Sequence, residues 1–189
     1  PPGYSMELQA RAREFAKTAG YVRLALMLAL VLVYIVLASQ FNSFLQPLIV
    51  MTAQPLAVVG GLFALWITGT TLNMISMIGL ILLMGLVAKN SILLVDLTNQ
   101  LRDAGRGVED ALREACPLRL RPVLMTSLTV ILALLPAALG LGAGADTNGP
   151  MAIAVIGGML SSTLLTLVVV PVVYSLAEQG LQRLHRRSA

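Results

Sequence analysis

Five long apolar runs, separated by short polar breaks, set the pattern of this chain. They lie at about 21–39, 47–68, 72–97, 122–141 and 150–177. A helix needs roughly 20 residues to cross about 30 Å of hydrocarbon, so each run is long enough to span a membrane. The first run is interrupted near its start only by Arg23, and the third holds a single lysine, Lys89. The breaks carry turn chemistry. Gln40-Phe41-Asn42-Ser43 precedes Pro47, Thr68-Gly69-Thr70-Thr71 makes a tight connection, and residues 140–150 (GLGAGADTNGP) are rich in glycine. The one sizeable polar stretch, 99–120, contains apolar residues at 108, 111, 112 and 115. That spacing predicts a short amphipathic helix over about 107–116, lying on the membrane surface. The fold class predicted is all-α: a polytopic membrane bundle of about five transmembrane helices plus one short interfacial helix.

Composition agrees. Hydrophobic residues make up 57% of the 189, charged residues 12%, and mean hydropathy is +0.85. Soluble domains carry about 25% charged residues, so this chain lacks the material for a wetted surface, and lipid is the expected partner. The net charge of +4 could suggest nucleic acid. However, the basic residues sit between apolar runs rather than in a stripe with aromatics, and we expect no nucleic-acid binding. The single cysteine, Cys116, provides neither an internal disulfide nor a zinc site. No catalytic set is visible: the single histidine, His185, lies beside Arg186 and Arg187, and no Walker-type phosphate loop occurs. Neither an enzyme, a metal site nor a bound cofactor is expected.

Orientation follows from the Lys/Arg bias of short loops. The 99–121 loop carries Arg102, Arg106, Arg113, Arg119 and Arg121, and the tail 179–189 carries Arg183, Arg186 and Arg187. The 69–71 and 140–149 connections carry neither lysine nor arginine. The 99–121 loop and the C-terminus are therefore expected in the cytoplasm. An odd number of spans then places residues 1–20 outside, despite Arg11, Arg13 and Lys17. This is reconciled if they end a large translocated domain, which crosses largely regardless of charge. The chain also begins Pro1-Pro2-Gly3 without an initiator methionine. Both observations lead us to expect a piece of a longer protein.

Lys89 is the most informative residue. A charge in hydrocarbon costs about 3 kcal/mol on insertion scales, so such residues face the bundle interior and find a partner. Three readings stay open: snorkelling to the interface, a structural pair with Asp96 roughly 10 Å further along the same helical face, and an ion-relay lysine awaiting carboxylates from a helix outside this stretch. Arg119 and Arg121 precede the fourth run. Both suit interfacial anchors, although two residues of separation turn them to different faces and leave Arg119 free to face inward. Pro122 suits a first helical turn. Thr126 lies seven residues after Arg119 on the same face, where its hydroxyl could join a proton chain or simply bond back to its own helix. Gly60-Gly61, Gly79, Gly85, Ala88, Gly157-Gly158 and Ser161-Ser162 mark close helix contacts.

Four segments carry a family resemblance: SQFNSFLQPLIVMTAQPLAVVGG (39–61), LNMISMIGLILLMGLVAKNSILLVD (72–96), EACPLRLRPVLMTSLTVILALLPAALG (114–140) and GGMLSSTLLTLVVVPVVY (157–174). In this order they resemble the resistance–nodulation–division exporters, most closely the drug-exporting hydrophobe/amphiphile branch. The resemblance implies the last five of twelve helices, with residues 1–20 ending the second large periplasmic domain. It implies a parent that is a homotrimeric, proton-driven antiporter of the bacterial inner membrane, working with a periplasmic adaptor and an outer-membrane channel. On this resemblance Lys89 matches the relay lysine that pairs with two aspartates of the N-terminal half, and Arg119 and Thr126 match the residues that complete the relay. Metal-exporting relatives usually carry a different residue where Lys89 stands. The alternatives are a non-transporting membrane scaffold and an inert fragment of a truncated gene.

Overall fold

The computed structural model describes the backbone of residues 2–44, 46–141 and 144–188, and the side chains of 20–44, 46–141, 144–166 and 168–177. Within these residues there are six helices and no strand: α1 (Pro2–Phe41), α2 (Gln46–Met51), α3 (Ala53–Ile67), α4 (Met74–Asp103), α5 (Val108–Ala138) and α6 (Ala145–Ser188). Five stretches are long and apolar enough to cross a membrane: Gly20–Phe41, Gln46–Ile67, Met74–Asp103, Val108–Ala138 and Ala145–Thr166. The side chains of residues 1–19 and 178–189, to which the periplasmic-domain end and the basic tail were assigned, lie outside the described residues.

The helices run past the expected ends of several spans, α1 from Pro2 and α6 over Ala145–Ser188, and their continuity differs from the sequence reading in two places. The run over 47–68 is broken at Thr52, between α2 and α3. Pro55 explains the break: it has no N–H for the Met51 carbonyl, and its ring crowds that carbonyl. Thr52 N–H turns instead to the Ile49 carbonyl at 3.2 Å, and its hydroxyl donates to the same oxygen at 2.6 Å. Conversely, the surface helix expected over 107–116 and the span expected over 122–141 form one helix, α5, which runs through Pro117, Pro122 and Pro136. Pro122 is thus an interior residue rather than a first-turn one. Proline is tolerated inside membrane helices because neighbours satisfy the carbonyls it frees.

The helix ends are specified locally. At the start of α4, Asn73 Oδ1 accepts the Ser76 N–H at 2.8 Å and Ser76 Oγ accepts the Asn73 N–H at 2.9 Å, a reciprocal cap that satisfies two otherwise orphaned donors. α3 and α4 end at Gly69 (φ 65°) and Gly105 (φ 90°). Glycine enters this left-handed region without steric penalty. In each case the following N–H reaches back to a carbonyl of the last turn: Thr70 to Leu65 at 3.0 Å, and Arg106 to Leu101 at 3.3 Å.

α6 lies at the centre, packed against α3, α4 and α5, while α1 rests on α4 and α2. The α3–α6 crossing depends on glycine. A Cβ at Gly157 would overlap the Ala64 Cβ and stand 3.0 Å from the Gly60 carbonyl oxygen, and one at Gly61 would come within 2.9 Å of the Ala154 oxygen. Bare backbone lets the two helices approach where apolar burial gives no net advantage over lipid. Polar pairs add to this contact packing. Ser127 of α5 and Thr163 of α6 share a buried hydrogen bond of 2.8 Å. At the end of the bundle where α4 runs into the 104–107 connection, Asn99 and Gln46 bond reciprocally at 2.9 and 3.3 Å, joining α4 to α2. Tyr174 of α6, 2% exposed, donates to Asn99 Oδ1 at 2.7 Å and accepts from Arg102 at 3.0 Å. Apolar side chains of α1, among them Leu24, Leu28, Val31 and Ile35, stay exposed and suit lipid or a further helix.

Two stability predictions follow from these contacts. Gly157→Ala is expected to lower resistance to SDS-induced unfolding in detergent by about 1–3 kcal/mol through overpacking, and Ala64→Gly should restore most of it. Gly85→Ala, where nothing lies within 4 Å of the added Cβ, should leave it unchanged. Tyr174→Phe, which removes the hydroxyl that links Asn99 to Arg102, should lower stability by about 1 kcal/mol in the same assay.

Candidate functional site

α4 presents Lys89 away from the bundle centre. Its chain neighbours Val87, Ala88, Asn90 and Ser91 are buried, whereas Lys89 is exposed. It lines a groove of about 490 Å³ between α1 and α4, walled by Leu32, Val33, Val36, Leu37, Ile92 and Leu93. Gly85, one turn before Lys89, leaves the groove floor bare, and Gln40 closes one end. Among the described residues no carboxylate lines this groove. Asp96 does not serve as a structural partner. Its carboxylate accepts from Gln100 Nε2 at 2.9 Å and lines a different, polar cavity. The structure therefore places an ammonium group beside an apolar slot between α1 and α4, a setting in which a membrane charge pairs, meets water or snorkels to the interface.

The other two residues named from the sequence lie on α5. Arg119 is half-buried, and its Nε is shielded from solvent with no hydrogen-bond partner among the described residues. Thr126 is exposed, and its hydroxyl donates to the Val123 carbonyl at 3.0 Å, the local back-bond. Neither residue lines the groove that holds Lys89, and among the described residues no hydrogen bond joins the three. This chain alone does not assemble them into one site. Arg121 is exposed, as an anchor should be.

The polar knot of Gln46, Asn99, Arg102 and Tyr174 escaped the sequence reading. So did Gln54, which is 1% exposed on α3 with neither amide atom hydrogen-bonded among the described residues. A usable signal was present: Gln54 and Tyr174 both sit in apolar runs, where a polar group calls for a partner. A polar cavity of about 670 Å³ borders the knot, lined by Gln40, Gln46, Asp96, Asn99, Arg102, Asp103 and Arg106 among others. Cys116 is half-buried on α5. Among the described residues, no group of three or more His, Cys, Asp or Glu side chains could hold a metal ion.

Comparison with known proteins places this arrangement. A heavy metal efflux pump, solved by X-ray crystallography in two crystal forms, superposes with TM-scores of 0.79 (form II) and 0.78 (form I). Sequence identity is 35% and 37%, over 88% and 86% of this chain respectively. The chain spans only 16% of the length of that pump in either form. The sequence model of the AcrB/AcrD/AcrF family matches residues 1–178. With five membrane-length helices and that match over nearly its whole length, this chain belongs to the AcrB/AcrD/AcrF family and is a membrane portion of a resistance–nodulation–division efflux transporter.

Proposed function

We propose that the chain is the C-terminal membrane part of a proton-driven exporter of the bacterial inner membrane, with the 99–121 loop and the C-terminus in the cytoplasm. The observation that carries this reading is Lys89: a charged side chain on a membrane-length helix, facing an apolar groove that no carboxylate lines among the described residues. Acidic side chains from the remainder of the transporter enter that groove and pair with it. Protonating one of them breaks an ion pair at a low-dielectric site and changes which helix arrangement is lowest in energy. Arg119, with its unbonded Nε, and Thr126 join the relay when those helices are present. The working assembly is a homotrimer with a periplasmic adaptor and an outer-membrane channel.

The substrates in this proposal are hydrophobic or amphiphilic compounds. The resemblance of the four sequence segments to the drug-exporting branch supports that class. The solved relatives above are heavy metal pumps, so a substrate panel should include divalent metals beside amphiphilic dyes. A scaffold role is less well supported. The faces of Gly60, Gly61, Gly157 and Gly158 are occupied by one another or by Ala64, Leu83 and Ala154 within this chain, and so offer no free docking surface.

In the complete transporter reconstituted in liposomes, Lys89→Met should reduce transport driven by a pH gradient to background while insertion and assembly persist. Undiminished transport would contradict the relay. The 189 residues alone should not transport, because they supply the ammonium without the acids. Proton-coupled efflux by the isolated chain in liposomes would refute this account.

A further inference from the structure

Two cavities lie in sequence along α4 and meet at Gln40, which lines both. One is the apolar groove around Lys89. The other is the polar cavity, open at the end of the bundle where α4 meets the 99–121 loop. Asp96 lines the polar one. It follows Lys89 by seven residues, which puts it roughly 10 Å along the helix on nearly the same face. The polar side chains around it are divided. Asn99 and Arg102 are held by Gln46 and Tyr174, whereas Asp96 accepts from Gln100, a neutral amide on its own helix, at 2.9 Å. The charged groups that share its cavity are Asp103 and Arg102 on α4 and Arg106 in the following loop; α1 and α2 contribute the neutral Gln40 and Gln46.

We propose that the polar cavity is the proton's aqueous port and that Asp96 carries the proton between this port and the Lys89 groove, with Gln40 at the junction. The inference rests on the proton-coupled reading above. A proton released in the groove passes Gln40 and binds the Asp96 carboxylate, which becomes neutral. It then leaves to water in the port and restores the Asp96 carboxylate, so the net change is one proton lost by the acid paired with Lys89, which becomes a carboxylate, and one proton gained by water in the port. The cavity's volume, about 670 Å³, is ample for several waters. The apolar walls around Lys89 confine the exchange to the Gln40 end.

The test uses the complete transporter in proteoliposomes. Asp96→Asn should lower gradient-driven transport by about tenfold or more, leave substrate affinity and downhill substrate exchange unchanged, and be rescued by Asp96→Glu. In a Cys116→Ser background, Gln40→Cys should react with a membrane-impermeant thiol reagent added on the side of the 99–121 loop, and not from the other side. Transport that survives Asp96→Asn, loss of downhill exchange without rescue by glutamate, or labelling of Gln40→Cys from neither side or from the opposite side would each overturn the port. Lys89→Met separates the two levels. If it abolishes transport while Asp96→Asn does not, the port fails and the relay stands. If both variants transport normally, the proton-coupled reading itself falls.

Discussion

Polar groups between helices in hydrocarbon have only each other to bond, and the fold is organised around that constraint. Most interhelical polar groups here are matched. Gln46, Asn99, Arg102 and Tyr174 close one end of the bundle, and Ser127 meets Thr163 in its interior. Among the described residues the exceptions are separate from the matched set: the Lys89 ammonium in an apolar slot, the shielded Nε of Arg119, the Gln54 amide and the buried Ser91 hydroxyl. A bundle that matches most of its structural groups gives weight to those it leaves open, and two of these, Lys89 and Arg119, are residues proposed above to take part in the relay.

Packing and polarity divide the work between the two ends of the molecule. Through the middle, α3 and α6 touch along backbone because Gly60, Gly61, Gly157 and Gly158 have no side chains to hold them apart. Toward the 99–121 loop, where water approaches, hydrogen bonds replace bare-backbone contact. Lys89 sits outside both systems, on the face of α4 turned to α1, so its environment can change without dismantling either one.

Much of this was legible in the sequence. Run length and hydropathy set the number of membrane-length helices because hydrocarbon thickness fixes how many residues a crossing needs. Gly69, in the tight connection expected over 68–71, marked the end of α3 because the left-handed turn there favours glycine. What escaped was tertiary in origin. Pro55 signals a break, but a run of uniform hydropathy conceals one. Pro122 resembled a helix start, yet α5 passes through it because a helix held by its neighbours survives the loss of one donor. The partners of Tyr174 lie 72 and 75 residues away on α4, beyond the reach of local pattern. Lys89 stood out for its chemistry, but only the packing of α1 against α4 revealed which face it occupies. Arg119 and Thr126 share a helical face by spacing, yet this chain does not bring them to Lys89.

The central position of α6 also bears on how such a protein can change over time. A substitution there is judged by three neighbours at once, since α3, α4 and α5 all rest on it, and a change that improves one fit disturbs the others. Within this chain the outer face of α1 meets no such demand, and where lipid rather than a further helix covers it, Leu24, Leu28, Val31 and Ile35 can exchange for any residue that tolerates oil. Drift should therefore accumulate on the first helix while the last remains nearly frozen, and a lineage adapting to a new membrane would do so at its periphery.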